Sequence, residues 1–290
     1  MKIGSTRAWM LVLTASLAVP FYGCIDNGYV LRGVKKEGSI VREESVFAIS
    51  GGKMAFDIAG NRLEGDIIEI IERHVSEIEY LRMENGLPAS VRISFIEDSD
   101  KRVFEMLGQR NTETDEATLV GKTIQADLTE GRWVAHPEDG ELTHEQQAEL
   151  EVIESSLDFT DEMYPEQGIK VGHSWTIDPI YSTQWLGPNV REAGGTIDFE
   201  FQKITDVEGE RCAQLRLVLD ITAKLAEGND QMEVNLSVSG SIFRSLDNFI
   251  DVKTELDGET RLEGAVTDGD QTVHATMKGP VTIRSTKRIQ

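Results

Sequence analysis

The chain has 290 residues, 39% hydrophobic and 28% charged, which is the composition of a globular protein long enough for a sizeable core. Its formal charge of −22 repels phosphate backbones and anionic headgroups, so nucleic acid is excluded as a partner. Its 2 cysteines, Cys24 and Cys212, exclude a disulfide scaffold.

Residues 1–23 read as an export signal. Lys2 and Arg7 make a positive start, and the apolar run 8–19 is shorter than the roughly 20 residues that span a bilayer. Phe21-Tyr22-Gly23-Cys24 then resembles the lipobox of bacterial lipoproteins: Gly23 and Cys24 match it, while Phe21 and Tyr22 depart from it. The resemblance implies that Cys24 carries diacylglycerol and that residues 24–28 are a tether. With Ile25 rather than Asp after the cysteine, it also implies an anchor on the periplasmic face of the outer membrane. Cleavage after Ser16-Leu17-Ala18 is the other route, giving a secreted or soluble periplasmic chain in which a Cys24–Cys212 bond is open.

Residues 29–290 read as a single β-rich domain. A first meander over 29–136 begins with two strands in 29–50, broken at Lys36-Glu37-Gly38. After a turn at Gly51-Gly52, Met54, Phe56 and Ile58 alternate again. Residues 66–82 fit either helix or strand periodicity, and their strand neighbours favour a strand. The polar run Asn111-Thr112-Glu113-Thr114-Asp115-Glu116 is expected as a loop. Between 137 and 167 there are eleven acids and no Lys or Arg. Thr143-x-x-Gln146 is a capping-box signature, and Leu150, Ile153 and Leu157 form one stripe, so a helix is expected over 144–158 with an acidic outer face.

The second meander, 168–290, contains the clearest pattern in the chain. Ala213, Leu215, Leu217, Leu219, Ile221, Ala223 and Leu225 occupy every second position. After a turn at Gly228-Asn229-Asp230 the alternation resumes through Met232, Val234, Leu236, Val238 and Ile242. A strand of about fifteen residues is about 50 Å long, and antiparallel strands of that length coil, so the sheet is expected to curve into a half-barrel or barrel-like trough. Further turns are expected at Asp257-Gly258, Asp268-Gly269 and Gly279-Pro280, giving about seven strands in this half. A single helix is too small to cover the whole apolar face. The remainder of that face either meets the first meander or holds a hydrophobic ligand.

Catalytic signatures are weak. Gly172-His173-Ser174-Trp175 has the opening of a nucleophile elbow, but Thr176 replaces the last glycine and a strand continues where a helix is required. His74, His136, His144, His173 and His274 are dispersed without metal-ligand spacing, the acids over 138–166 contain no calcium loop, and no cofactor signature is present. The reading is therefore noncatalytic, with no catalytic residue, cofactor or metal. Trp175, Tyr181 and Trp185, around the loop 178–195, are the candidate rim of a binding mouth.

Leu119-Val120-Gly121-Lys122, the helix, and Ile169-Lys170-Val171-Gly172-His173-Ser174-Trp175 ahead of a long meander resemble a group of uncharacterised bacterial envelope lipoproteins with a KVGDSW-type strand. His173 stands where that group has Asp. The resemblance implies architecture and address, and no site. At the level of fold the expected trough is also similar to periplasmic lipid carriers of the LolA/LppX type. The sequence thus points to an envelope protein, membrane-attached through a lipid anchor, that binds or carries a hydrophobic small molecule or lipid. The alternative is a structural or interaction lipoprotein whose core is filled by its own side chains.

Overall fold

Alternation of period two produces strands along most of the chain, and antiparallel pairing puts directly opposed residues on the same face. The computed structural model describes residues 28–290 apart from 59, 158–161, 183–189, 228–229 and 269–270, so residues 1–23, expected to be an export signal, and Cys24 lie outside the described residues. Twelve strands and one α-helix follow: β1 (Ile40–Ile58), β2 (Asn61–Glu84), β3 (Leu87–Met106), β4 (Gln109–Glu116), β5 (Thr123–Thr129), β6 (Arg132–Pro137), α1 (His144–Ser156), β7 (Ser174–Ile177), β8 (Val190–Val207), β9 (Glu210–Glu227), β10 (Asp230–Ser245), β11 (Asp251–Asp268) and β12 (Gln271–Ile289).

All twelve strands belong to one antiparallel sheet in the order β6-β5-β3-β2-β1-β12-β11-β10-β9-β8-β7, with β4 branching from β3. The sheet is open: β6 and β7 end it. The two meanders are joined by the β1–β12 pair, in which Glu43 faces Lys287 and Phe47 faces Ile283.

One face is apolar and the other charged. On β9 the expected row is buried throughout, with Ala213, Leu215, Leu217, Leu219, Ile221 and Ala223 no more than 2% exposed. The opposite face carries Arg216, Asp220, Lys224, Asp257, Glu259 and Arg261, all exposed, which is a surface for water and not for lipid tails. The buried face curls around its own side chains, and one cluster joins Phe199 and Leu217 on the β8–β9 side to Ile49 and Ile67 on the β1–β2 side.

The capping box forms as expected. Gln146 N–H donates to Thr143 Oγ1 at 3.2 Å, and Thr143 N–H donates to Gln146 Oε1 at 3.0 Å. Leu150, Ile153 and Leu157 are buried in a second cluster with Ile78, Val91, Ile93 and Ile124, which Cys212, Ile250 and Val252 join from the near ends of the carboxyl-half strands. Two of its acids also turn inward. Glu149 accepts from the N–H and hydroxyl of Thr118, and Glu154 accepts from the N–H of Ala135 on edge strand β6, at 2.6 Å. The carboxylate occupies a backbone donor that would otherwise offer itself to another strand.

Several expected turns are strand interior. Residues 28–39 hold only an isolated bridge, Tyr29 to Ile169, in place of a first strand. At Gly51-Gly52 the chain does not reverse: β1 continues through a bulge between Ile49 and Lys53, with Gly51 at φ 71°. Residues 111–116 form most of β4, an exposed hairpin arm with no buried face to produce alternation. Asp257-Gly258 and Gly279-Pro280 lie inside β11 and β12, so the carboxyl half has six strands, β7 to β12. Gly258 is there for space: a Cβ would stand 1.9 Å from the carbonyl oxygen of Ser237 on β10.

Candidate functional site

Strand register lets the concave face be followed row by row. One row runs from Trp175 through Phe199, Leu217, Gly240, Leu256, Ile283, Phe47 and Glu72 to Asp100, across nine strands. Its first seven members are apolar or glycine, and its last two are acids. Three zones follow along the strand axis.

At the end marked by the start of β9 and the close of β12, the sheet is covered by a strap made of residues 28–35 and 162–170. Leu31 and Ile169 from the strap are 0% and 6% exposed, and Met163 and Tyr164 are as deeply buried. Tyr29 meets Phe201 edge-on at 5.6 Å, and Tyr164 meets Phe199 at 6.0 Å. Beneath the strap lies Arg244, 0% exposed. Its Nε donates to the Leu31 carbonyl at 2.7 Å and its Nη1 to Asp251 Oδ1 at 3.0 Å; Tyr164 Oη donates to the same Oδ1 at 2.8 Å. The guanidinium also sits 3.9 Å from the centre of the Tyr164 ring. Lys35 Nζ donates to the Phe249 carbonyl, and Arg32 Nε to that of Tyr164.

A polar belt crosses the first meander on the same face. Glu43, Ser45 and Ser285 are buried, and the row through Ser45 continues to His74 and Asp98. Glu43 and Lys287 form an ion pair of 3.0 Å with side chains 3% and 5% exposed. Arg102 pairs with Asp100, and His74 lies 3.4 Å from Asp98 and 3.1 Å from Ser76. Glu72, between Phe47 and Asp100, has its carboxyl pushed up to about 8, first by burial and then by Asp100, with Arg102 acting in the other direction. The belt separates the apolar cluster under α1 from the apolar cluster of the trough.

Toward the other end, past the buried hydroxyl of Thr260, the face is apolar. One row is Ala193, Ala223, Val234, Leu262, Met277, Met54, Gly65 and Met106; the next is Val190, Leu225, Met232, Gly264, Ala275, Phe56 and Leu63. Met232, Leu262, Ala275, Met277, Leu63 and Met106 are only half-buried. Flexible thioethers next to glycine and alanine make a surface that adapts to apolar chains of varied shape.

The residues singled out from sequence are dispersed. Trp175 is half-buried and stacked on Phe199 at 5.0 Å and 4°, and its indole N–H donates to the Met163 carbonyl at 2.9 Å, so it pins the strap. Tyr181 donates to Glu162 Oε2 at 2.6 Å, which raises its phenol above the ordinary value. Trp185 lies outside the described residues. Ser174 is exposed at the start of β7. Cys212 is buried, its thiol pushed up to about 11 by burial and then by Glu210, which leaves it inert. Among the described residues no group of three or more His, Cys, Asp or Glu is placed to hold a metal. Arg244 was missed, although it shares the parity of Val238 and Ile242; a cation on an apolar stripe is the signal that could have found it.

No family model and no curated protein sequence matches the chain. Among solved structures it is similar to lipovitellin, in a structure described as showing lipid–protein interactions, with 9% identity and a TM-score of 0.39 over 88% of this chain; it spans 26% of the lipovitellin chain. The outer membrane protein OprG of Pseudomonas aeruginosa matches at 6% identity and a TM-score of 0.19, covering 89% of this chain and 99% of its own. A DUF1329 family protein of Desulfovibrio piger matches at 9% identity and 0.13, covering 84% of this chain and 85% of its own.

Proposed function

We propose that this protein binds an apolar chain, from a lipid or other hydrophobic molecule, on the concave face of its sheet, and that it does so as a noncatalytic, lipid-anchored protein of the cell envelope. The observation that carries this reading is the pair of uncharged rows at the open end of the trough, centred on Met277, Leu262 and Met232 and left half-buried by the protein itself. A half-open apolar face with no cation, catalytic pair or metal cluster among its described members suits an acyl chain better than a polar substrate. The lipobox-like Cys24 supports the anchor.

The test is binding of diphenylhexatriene, a neutral apolar fluorophore, to the purified full chain and to Met277→Glu, with far-ultraviolet circular dichroism as a check on folding. The expected result is saturable binding to the parent and at least a tenfold loss in the variant. Equal binding by both removes the site from the trough. A second reading, a structural lipoprotein with a filled core, is favoured by the dryness of the middle rows, where Ile49 and Val281 are each 1% exposed. Absence of probe binding together with native protein free of copurified lipid would establish it.

A further inference from the structure

Three features mark the strap as an occupant of the trough and not as a layer of the fold. It pairs only with itself, through Tyr29 and Ile169, and contributes no rung to the sheet, so it can lift without breaking a ladder. Its central attachment is the buried pair of Arg244 and Asp251; desolvation offsets much of the attraction in such a pair, whose better-attested role is to specify placement. The group presented to that pair is Leu31, a fully buried apolar side chain whose own carbonyl oxygen accepts from Arg244 Nε at 2.7 Å. An apolar chain joined to a carbonyl oxygen is also the chemistry of an acyl ester.

We infer that the strap is an internal stand-in for the ligand, and that a neutral acyl ester displaces it, seating its carbonyl oxygen on Arg244 Nε and its chain on Phe201 and Leu215. This rests on the concave face binding apolar chains; it places the ester at the strap end of that face, remote from the rows around Met277, and it names the ligand class. Asp251 already balances the Arg244 charge, so a free carboxylate brings a second, uncompensated anion into a dry site, whereas an ester does not. Ligand affinity is then reduced by the fraction of molecules whose strap is seated, and loosening the strap raises it.

The experiment uses the full chain with methyl palmitate and palmitate as probes, reading affinity together with amide hydrogen exchange of the strap. The amides of Tyr29 and Ile169, bonded to each other's carbonyls at 2.6 and 2.9 Å, report its seating. Methyl palmitate is expected to speed their exchange about tenfold and to bind about tenfold more tightly than palmitate. Tyr164→Phe, which removes one hydroxyl from Asp251 and leaves Arg244 in place, is expected to speed exchange without ligand and to tighten ester binding severalfold. Ester binding with the strap amides still protected overturns the displacement and leaves the trough reading standing. Palmitate binding as tight as the ester overturns the ligand class. If neither probe binds the parent or Tyr164→Phe while diphenylhexatriene binds the parent, the inference falls and the trough reading stands; if none of the three binds, both fall.

Discussion

Glu72 gives the sharpest test of the polar belt. Its carboxyl, held at about 8 by burial and by Asp100 on the next strand, starts from an ordinary value of 4.5 in an unfolded chain. The folded state therefore binds this proton more tightly than the unfolded state. The stability it contributes is complete below pH 4.5 and is lost as the pH rises through about 8, because the folded protein must then hold a half-buried, poorly solvated carboxylate beside Asp100. At about 1.4 kcal/mol per pH unit across that window the ceiling is about 5 kcal/mol, and relaxation of β2 with entry of water brings the expected value nearer to 2–3 kcal/mol. Glu72→Gln keeps the shape and cannot ionise. Urea unfolding at pH 5, 7 and 9 should find the two proteins close at pH 5 and the variant more stable by about 2–3 kcal/mol at pH 9. Titration of Asp98, Asp100 and the acidic surface is common to both proteins and cancels in the comparison. Parallel stability curves, or a variant less stable at pH 9, would refute the argument that this face of β2 is dry.

Two further predictions concern the same sheet. Lys287→Met leaves Glu43 buried without its cation and should cost about 3–5 kcal/mol in chemical denaturation at pH 7, while Lys287→Met combined with Glu43→Gln should recover at least half of that; a double variant no better than the single one would mean that Glu43 is wetter than its 3% exposure indicates. Gly258→Ala places a methyl 1.9 Å from the Ser237 carbonyl and should lower the denaturation midpoint by the equivalent of about 2 kcal/mol or more. The control is Ala275→Gly, a half-buried position on the neighbouring strand, which should cost about 1 kcal/mol or less. Equal losses would mean that β10 and β11 do not approach so closely.

How much of this could be read from the sequence depends on what alternation encodes. Period two reports which side of a strand is dry, and in β9 it did so for every member from Ala213 to Ala223. It does not report whether the backbone has a neighbour to pair with. Tyr29 and Leu31 alternate with Val30 and Arg32 like a strand because they lie on the apolar sheet, yet the segment makes one bridge and becomes the strap. β4 fails in the opposite direction: its backbone pairs fully with β3 while its side chains, exposed on both sides, show no period. Turn dipeptides mislead for a third reason, since Gly258 serves the close approach of two strands and not a reversal.

The belt was hidden because polar residues at inward positions look like the outward face of a strand. Glu43 and Ser45 do share the parity of Val41, Phe47 and Ile49. Glu72 and His74 likewise share the parity of Ile70 and Ile78 on β2, whereas on β3 the bulge opposite Val75/Ser76 shifts the count and detaches Asp98 and Asp100 from the parity of Val91, Ile93 and Phe95. On β3 the bulge turns Asp98 and Asp100 toward the trough, where an uninterrupted strand would have turned Glu97, Ser99 and Lys101. An apolar belt would have merged the cluster under α1 with the cluster of the trough into one continuous core. With the belt in place, the helical half and the trough half are each apolar and are separated by ion pairs that fix register. Displacement of the strap by an acyl chain, as proposed, would then leave the packing of α1 on β2, β3 and β5 as it is.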